Sequence, residues 1–213
     1  MATEDLMELI AGQRGELAAI LGDLPEESWD APTLCEGWRV REVVAHMTMP
    51  FRYEPEQFMA ELGKSDGDFT ALSDRLAAQD AAALSPAELT ESIRTNVRTR
   101  WEPPGGGLTA ALSHDMIHGL DFAVPLGLGF NVPEERLRAI LPVSADEPSV
   151  KFFGVDLDGI ELRASDMDWT LGSGTTLTGT GQDLLLVLCG RKLPAGRLHG
   201  EPSGRFTATG VGG

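Results

Sequence analysis

Two histidines one helical turn apart, His114 and His118, are the residues whose types and spacing best suit chemistry. They lie in the segment SHDMIHGLDF, in which Asp121 follows on the same predicted helix face. Two imidazoles at positions i and i+4 of a helix can point the same way and share one divalent cation. Because two ligands do not make a site, a third is needed. His46, in REVVAHM, is the candidate, since it lies on the flank of the apolar stripe of another predicted helix.

The same spacing has a second interpretation. His114 and His118 can be solvated side chains on a helix face beside Asp115 and Asp121. The fourth histidine, His199, lies in a loop-like segment and is interpreted as incidental. Spacing by itself therefore leaves both a metal site and a solvated helix face open.

Composition restricts the class of protein and its partners. The chain has 213 residues and a formal net charge of −16. A chain so negative, without a basic patch, repels phosphate backbones, so nucleic acid is not expected as a partner. No apolar run approaches the ~20 residues that span a bilayer, and the acidic, amphipathic N-terminus is unlike a signal peptide. With only two distant cysteines as well, we expect a cytoplasmic protein with no membrane partner.

Helical periodicity dominates the first two thirds of the chain. Apolar residues recur at helical spacing over residues 4–21. A second helix, which Pro50 ends or kinks, has an apolar stripe: Val40, Val43, Val44 and Met47. The sequence SPAE at Ser85 is typical of a capped helix start, and that helix is predicted to reach about Trp101. After the break at EPPGGG, a further helix is predicted over residues 108–124, and a shorter one in PEERLRAIL.

The sequence changes in character after about residue 149. GIELRA, DWTLGS and TTLTGTG are short, β-prone and divided by Gly and Asp, which favours a small antiparallel sheet. GQDLLLVLCGRK predicts a buried helix that ends at Gly190, and PSGRFTATGVGG is expected to be a frayed tail. We therefore predict two domains, a helical bundle over residues 1–147 and a small α+β domain over residues 148–213.

Three segments of the chain resemble one family. WDAPTLCEGWRVREVVAHM, from Trp29 to Met47, resembles the opening signature of the mycothiol-dependent maleylpyruvate isomerase family, with its Pro-Thr-x-Cys-x-Gly-Trp turn and a helix ending in Ala-His. HDMIHGLD, from His114 to Asp121, is similar to the family's E/H-x-x-x-H-x-x-D segment. GIELRASDMDWTLGSG followed by LLLVLCGR is similar to its C-terminal domain. The family belongs to the DinB-like metal-binding helical bundles.

The resemblance implies a mainly α fold, in which a DinB-like four-helix bundle is followed by a small α+β C-terminal domain. It also implies three metal ligands, which carry over onto His46, His114 and His118, and a divalent metal, Zn²⁺ or else Ni²⁺. His114 stands where the isomerase itself has a glutamate, so the three ligands here are neutral and leave the metal its full charge. Asp121 is expected to accept a hydrogen bond from a ligand histidine and fix its tautomer, and a solvated carboxylate is the alternative.

By the same resemblance, mycothiol or another low-molecular-weight thiol binds the metal through sulfur, loses its proton and attacks a small electrophilic substrate. The adduct either rotates and expels the thiol, as in an isomerase, or is kept, as in an S-transferase. Two alternatives stay open: a metal-dependent hydrolase that uses metal-bound hydroxide, and a non-catalytic, metal-stabilised binding or stress protein. The sequence leaves the substrate open, and also whether the protein is a monomer or a homodimer.

A few other residues have types that suit chemistry. Cys35 precedes a helix and is a candidate nucleophile, but its place in the family's turn favours a packing role. Arg39, Arg52 and Arg191 are candidates for binding substrate carboxylates, because arginine makes bidentate pairs with them. Nothing in the sequence selects among the three.

Overall fold

The chain forms two compact units, Met1–Phe122 and Ala123–Gly213, in a computed structural model that describes residues 2–209. Helices make up most of the chain, and the second unit adds a small sheet, which confirms the predicted mainly α fold class. The predicted boundary between residues 147 and 148 lies later in the chain than the division between the units, and that domain assignment stays a prediction. Over the described residues, no helix is both long and apolar enough to cross a membrane.

The first unit is built mainly from α-helices. They are α1 (Thr3–Gly22), α2 (Val40–Arg52), α3 (Pro55–Gly63), α4 (Phe69–Ala83), α5 (Pro86–Thr95) and α6 (Gly107–Ala123). α2 packs against α4 and α5, and α1 packs against α5. The predicted stripe of α2 is confirmed, since all four of its members are buried: Val40, Val43, Val44 and Met47. Pro50 lies inside α2 and does not end it, because the helix continues to Arg52.

One long helix, α4, was not predicted from the sequence. It begins at Asp68, whose side chain accepts a hydrogen bond from the N–H of Ala71 at 3.0 Å. Its buried Leu72 and Leu76 lie one turn apart and pack with Met49 of α2. The signal was therefore present as an N-cap followed by two leucines four residues apart, but many alanines and polar residues surround it.

The helix predicted from Ser85 to Trp101 starts as predicted but ends early. Ser85 forms the predicted capping box with the carboxylate at the third helical position. α5 stops well before Trp101, because the chain turns the carbonyl groups of Asn96 and Thr99 towards the buried side chain of Arg14. The arginine donates to these two carbonyl oxygens at 3.2 and 2.7 Å.

The second unit combines helices with a three-stranded sheet. Its elements are α7 (Glu134–Ser144), α8 (Glu147–Phe152), β1 (Ile160–Ala164), β2 (Thr170–Gly172), β3 (Thr175–Gly179) and α9 (Gly181–Leu188). α9 is buried along its length and packs on α7, β1 and β3. Gly190 follows α9 with φ +74°, so the buried helix ending at this glycine is confirmed.

The sheet is mixed, so the predicted antiparallel sheet is wrong for one of its two pairings. β1 is the central strand, antiparallel to β2 and parallel to β3. Between β2 and β3 the chain crosses from one edge of the sheet to the other, past the start of β1, where the two backbone segments approach closely. A Cβ on Gly174 would lie 2.1 Å from the carbonyl oxygen of Gly159, and one on Gly172 would lie 2.5 Å from that of Ile160. Only glycine fits these crossing positions.

The C-terminal segment is ordered where frayed chain was predicted. A 3₁₀ turn spans Glu201–Arg205, and Phe206 after it is buried. The N–H of Leu193 donates to the carbonyl of Phe206 at 2.8 Å, and the N–H of Ala208 donates to the carbonyl of Leu193 at 2.8 Å. These contacts anchor the segment, and the rest of the predicted tail, residues 210–213, lies outside the described residues.

The crossing glycine gives a test of this topology. We expect Gly174→Ala to lower the free energy of unfolding by about 3 kcal/mol or more, because the added Cβ overlaps backbone and the residue has φ +129°. Gly127→Ala is the matched control, with φ +64° but nothing within 4 Å of the added Cβ, and should cost only ~1 kcal/mol. Urea unfolding of both variants measures the difference, and equal losses would contradict the crossing.

Candidate metal centre

α2 and α6 bring together the three histidines that the sequence predicted as ligands. The ring centroid of His46 lies 5.1 Å from that of His114 and 4.8 Å from that of His118, and the latter two lie 4.8 Å apart. One ring nitrogen of each residue lies within 4.8 Å of those of the other two. Within residues 2–209, no fourth His, Cys, Asp or Glu side chain joins this group. The role of the three residues as metal ligands stays a prediction.

The positions of the histidines on their helices explain this convergence. His114 and His118 are one turn apart on α6 and so share a face, whereas His46 lies beside the buried stripe of α2. His46 is buried, but the side chains of His114 and His118 keep 16% and 14% of their surface exposed. Solvent therefore reaches the histidine group at the exposed parts of the His114 and His118 side chains.

Each histidine of α6 holds its Nδ1 against a buried carboxylate. His118 Nδ1 lies 3.0 Å from Oδ2 of Asp121, which is the contact predicted for Asp121. His114 Nδ1 lies 3.0 Å from Oδ1 of Asp115, a partner that sequence reasoning missed. Both aspartates are buried, so neither is the solvated carboxylate of the alternative interpretation. Because a carboxylate only accepts, each Nδ1 carries a proton, and in the neutral form of the ring this leaves the lone pair on Nε2.

A buried arginine holds Asp115 from the other side. Arg14 Nε donates to Oδ2 of Asp115 at 2.7 Å, and both residues are almost fully buried. Burial raises the pKa of Asp115, but the hydrogen bond with His114 and the charge of Arg14 together lower it more, so its pKa lies below the usual value. The sequence signal for Arg14 was its place on a buried helix face, between Ile10 and Leu17.

The electrostatics of His46 fit a cation. Burial lowers the pKa of His46 well below its usual value, and the neighbouring His118 and His114 lower it further, so the ring is neutral. Its buried Nδ1 has no hydrogen-bond partner in the described part of the chain, which costs ~1–3 kcal/mol for a polar atom. Three imidazoles, of which His46 has an unpartnered buried nitrogen, are a donor set that Zn²⁺ or Ni²⁺ accepts. The residues present therefore fit a divalent metal.

The turn of the Pro-Thr-x-Cys-x-Gly-Trp signature is fastened to α6. The hydroxyl of Thr33 donates to the carbonyl of Trp38 at 2.8 Å, and Gly37 has φ +81° within this turn. The N–H of Leu34 donates to the carbonyl of Asp121 at 2.9 Å. Asp121 thus contacts His118 through its side chain and this turn through its backbone.

Two half-buried tryptophans flank the histidine group. The ring of Trp38 lies 5.0 Å from that of His46, and its indole N–H donates to Asp74 at 2.9 Å. The ring of Trp101 lies 5.2 Å from that of His114. The two indoles thus contact different histidines.

The other candidate residues lie outside this group of three. Cys35 is half-buried in the signature turn. His199 pairs through its backbone with a residue of β3. Arg39 is paired with Asp30 and Glu42, and Arg191 donates to a backbone carbonyl. A role for these arginines in substrate binding stays a prediction.

Arg52, the remaining candidate arginine, belongs to a network that joins the end of α2 to α4. Its Nη1 lies 2.8 Å from Oδ2 of Asp80. The hydroxyl of Tyr53 lies 2.9 and 3.0 Å from the two oxygens of the same carboxylate, to which it donates. Burial first, and then the hydrogen bond to Asp80, raise the pKa of Tyr53 to about 12. Arg52 thus has a structural partner already.

Fold and site together define a helical protein with a three-histidine group between two of its helices. Residues 10–103 match the family model described as the mycothiol maleylpyruvate isomerase N-terminal domain. This part of the chain thus matches that domain family, which confirms the resemblance found in the sequence.

Similar proteins extend over more of the chain. The uncharacterized proteins MT0041 and Rv0036c of Mycobacterium tuberculosis, strains CDC 1551 / Oshkosh and H37Rv, are each 26% identical over 216 residues, covering 86% of this chain and 84% of the relative. The crystal structure of the mycothiol-dependent maleylpyruvate isomerase has a TM-score of 0.63 at 13% identity, and a histidine-to-alanine mutant has 0.60 at 14%. Each covers 95% of this chain and 94% of the solved chain, so the fold is shared.

The tyrosine network gives a test of the packing of α2 on α4. The chain has one tyrosine, so tyrosinate absorbance during an alkaline titration reports Tyr53 alone. We expect a midpoint of about 12, and a lower midpoint in Asp80→Asn, because the negative charge that favours the protonated phenol is removed. Far-UV circular dichroism checks that the fold persists. A midpoint near the ordinary value of ~10 in folded wild-type protein would contradict the network.

Proposed function

We propose that this protein is a divalent-metal-dependent thiol S-transferase or isomerase that acts on a small electrophilic substrate. The observation that carries the proposal is the convergence of His46, His114 and His118, partly open to solvent, with no fourth side-chain ligand within residues 2–209. A group with three protein ligands leaves a coordination position for an exogenous ligand, as in catalytic zinc sites. A cytoplasmic location and the oligomeric state stay predictions.

The comparisons support a thiol as cosubstrate. The matched domain is named for mycothiol and maleylpyruvate isomerase, and the similar solved structures are of a mycothiol-dependent maleylpyruvate isomerase. We infer that the thiol of this protein is mycothiol or another low-molecular-weight thiol. The substrate would be a small molecule with an electrophilic carbon, of which maleylpyruvate is the first candidate.

The chain's own residues would prepare the site. His46, His114 and His118 would hold Zn²⁺ or Ni²⁺, and a bound divalent cation acidifies a thiol so that its thiolate is present at neutral pH. Asp115 and Asp121 keep the protons of two of these rings on Nδ1, at 3.0 Å each, which leaves Nε2 free to bind. The three neutral ligands add no negative charge beside the thiolate, so they do not oppose its formation.

The thiolate would react in one of two ways. Its sulfur forms a C–S bond with the electrophilic carbon, and the proton of the thiol goes to solvent. In isomerisation the electron pair of the attacked C=C bond moves onto the conjugated carbonyl oxygen, and the bond rotates as a single bond. The electron pair then returns to re-form the double bond, and the C–S bond breaks to release the thiolate. In S-transfer the C–S bond is kept, and the substrate either gains a proton or loses a leaving group. Trp38 and Trp101 border the space where this occurs.

Metal binding is the first test. We expect purified protein to bind one divalent cation per chain by elemental analysis and calorimetric titration with Zn²⁺. His118→Ala should weaken binding by more than ~100-fold, because it removes one of three ligands. His199→Ala is the control, since His199 lies outside the group, and should bind as the wild type does. Equal binding by the wild type and His118→Ala would contradict this assignment.

Thiol chemistry is the second test. The protein should accelerate the reaction of mycothiol with a bimane electrophile, followed by thioether fluorescence, and the cis–trans isomerisation of maleylpyruvate, followed by absorbance. Chelator should abolish the activity and added Zn²⁺ restore it. Activity that persists after metal removal would contradict the mechanism. Turnover of an ester without thiol would favour the hydrolase alternative, and metal binding with no turnover would favour a binding protein.

A further inference from the structure

We propose that Arg14 is a positioning residue of the histidine group, acting through Asp115 to keep the proton of His114 on Nδ1 and its lone pair on Nε2. The inference rests on the proposed function only in assigning a metal to that lone pair. It adds a third helix, α1, to a site whose candidate ligands come from α2 and α6 alone.

Two successive hydrogen bonds link Arg14 of α1, through Asp115, to the histidine group. Arg14 Nε donates to one oxygen of Asp115 at 2.7 Å, and the other oxygen lies 3.0 Å from Nδ1 of His114. The side chains of Arg14 and Asp115 are 2% and 4% exposed, so water does not compete for these contacts. A guanidinium only donates hydrogen bonds and a carboxylate only accepts them. Nδ1 of His114, which contacts the same carboxylate, must therefore donate.

Arg14 cannot easily turn away from this arrangement. Its Nη1 also donates to the carbonyls of Asn96 and Thr99, and its guanidinium lies 4.9 Å from the ring centre of Phe51. The fold therefore fixes Arg14 as the donor and residue 115 as the acceptor in this contact. The residue at position 115 has to offer an accepting oxygen to Arg14, and the second polar atom of its side chain then faces His114.

The same arginine also orders the segment that covers His114. The carbonyl of Thr99 is two residues before Trp101, whose ring lies 5.2 Å from that of His114. Arg14 therefore acts on both the hydrogen bond of the His114 ring and the approach of the indole to it. A residue that only filled space on α1 would do neither.

The variant Asp115→Asn tests whether Arg14 fixes the direction of these hydrogen bonds. Arg14 takes the amide oxygen of the new residue, because it needs an acceptor, so the amide NH₂ faces His114 and its Nδ1 must accept. The neutral ring then carries its proton on Nε2. R14M/D115N removes the donor that holds the amide oxygen and leaves the carbonyls of Asn96 and Thr99 without the arginine that donates to them. We therefore expect the amide to turn over, so that its oxygen faces the ring and the Nδ1 proton is restored.

Histidine ¹⁵N NMR of metal-free protein, at a pH well above the ordinary pKa of histidine, distinguishes the two tautomers directly. We expect Nδ1–H at His114 in the wild type, Nε2–H in Asp115→Asn, and Nδ1–H again in R14M/D115N. His118, whose partner is Asp121, is the internal control and should stay Nδ1–H throughout. Calorimetry should show Zn²⁺ binding weakened about 10- to 100-fold in Asp115→Asn and partly recovered in the double variant.

The NMR readout does not require metal, so it separates this inference from the proposed function. An unchanged tautomer at His114 in folded Asp115→Asn, or no return in R14M/D115N, would overturn the role of Arg14. Nε2–H at His114 in the wild type would overturn it whatever the variants do. The expected tautomers in a protein that binds no divalent metal would uphold the role of Arg14 and refute the metal centre.

Discussion

The hydrogen bonds between buried carboxylates and the imidazoles of α6 are the interactions on which the histidine group depends. Three imidazoles that bring ring nitrogens within 4.8 Å of one another do not attract, so the surrounding fold has to hold them in place. Asp115 and Asp121 do so by accepting from Nδ1 of His114 and His118. Each carboxylate is costly to bury unless it is hydrogen-bonded, and its hydrogen bond with Nδ1 leaves the Nε2 of that ring available to a cation.

Segments distant in the sequence supply the support for these two pairs. Asp115 is fixed by Arg14 of α1, and the same arginine draws in the carbonyl groups that end α5. Asp121 is fixed through its backbone by Leu34, in the turn that also presents Trp38 to His46. The ligand candidates come from two helices, but their geometry depends on contacts with a third helix and two turns.

This dependence on distant contacts explains which parts of the site the sequence could predict. The histidines of α6 share a face because they are four residues apart, and Asp121, three residues after His118, shares it too. Asp115 follows His114 directly, and adjacent residues of a helix do not face each other, so face-sharing gave no reason to pair them. Arg14 is 101 residues away from Asp115 in sequence, and its role appears only when α1 packs on α6. The same limit applies to the sheet, where strand propensity located β1, β2 and β3 but not the crossing that makes one pairing parallel.

The histidine at position 114 changes how negative charge is distributed around the site. The family resemblance implies a glutamate there in the isomerase, which would place its carboxylate directly against a metal. Here the ring of His114 takes that position, and the carboxylate of Asp115 lies behind the ring, where Arg14 neutralises it at 2.7 Å. The negative charge is thus moved outward and balanced within the protein, so a cation bound by the three rings would keep more of its charge for an exogenous anionic ligand. On the proposed function, an arrangement of this kind would favour a thiolate over a neutral ligand, and the buried charge of Arg14 balances the carboxylate that lies behind the ring.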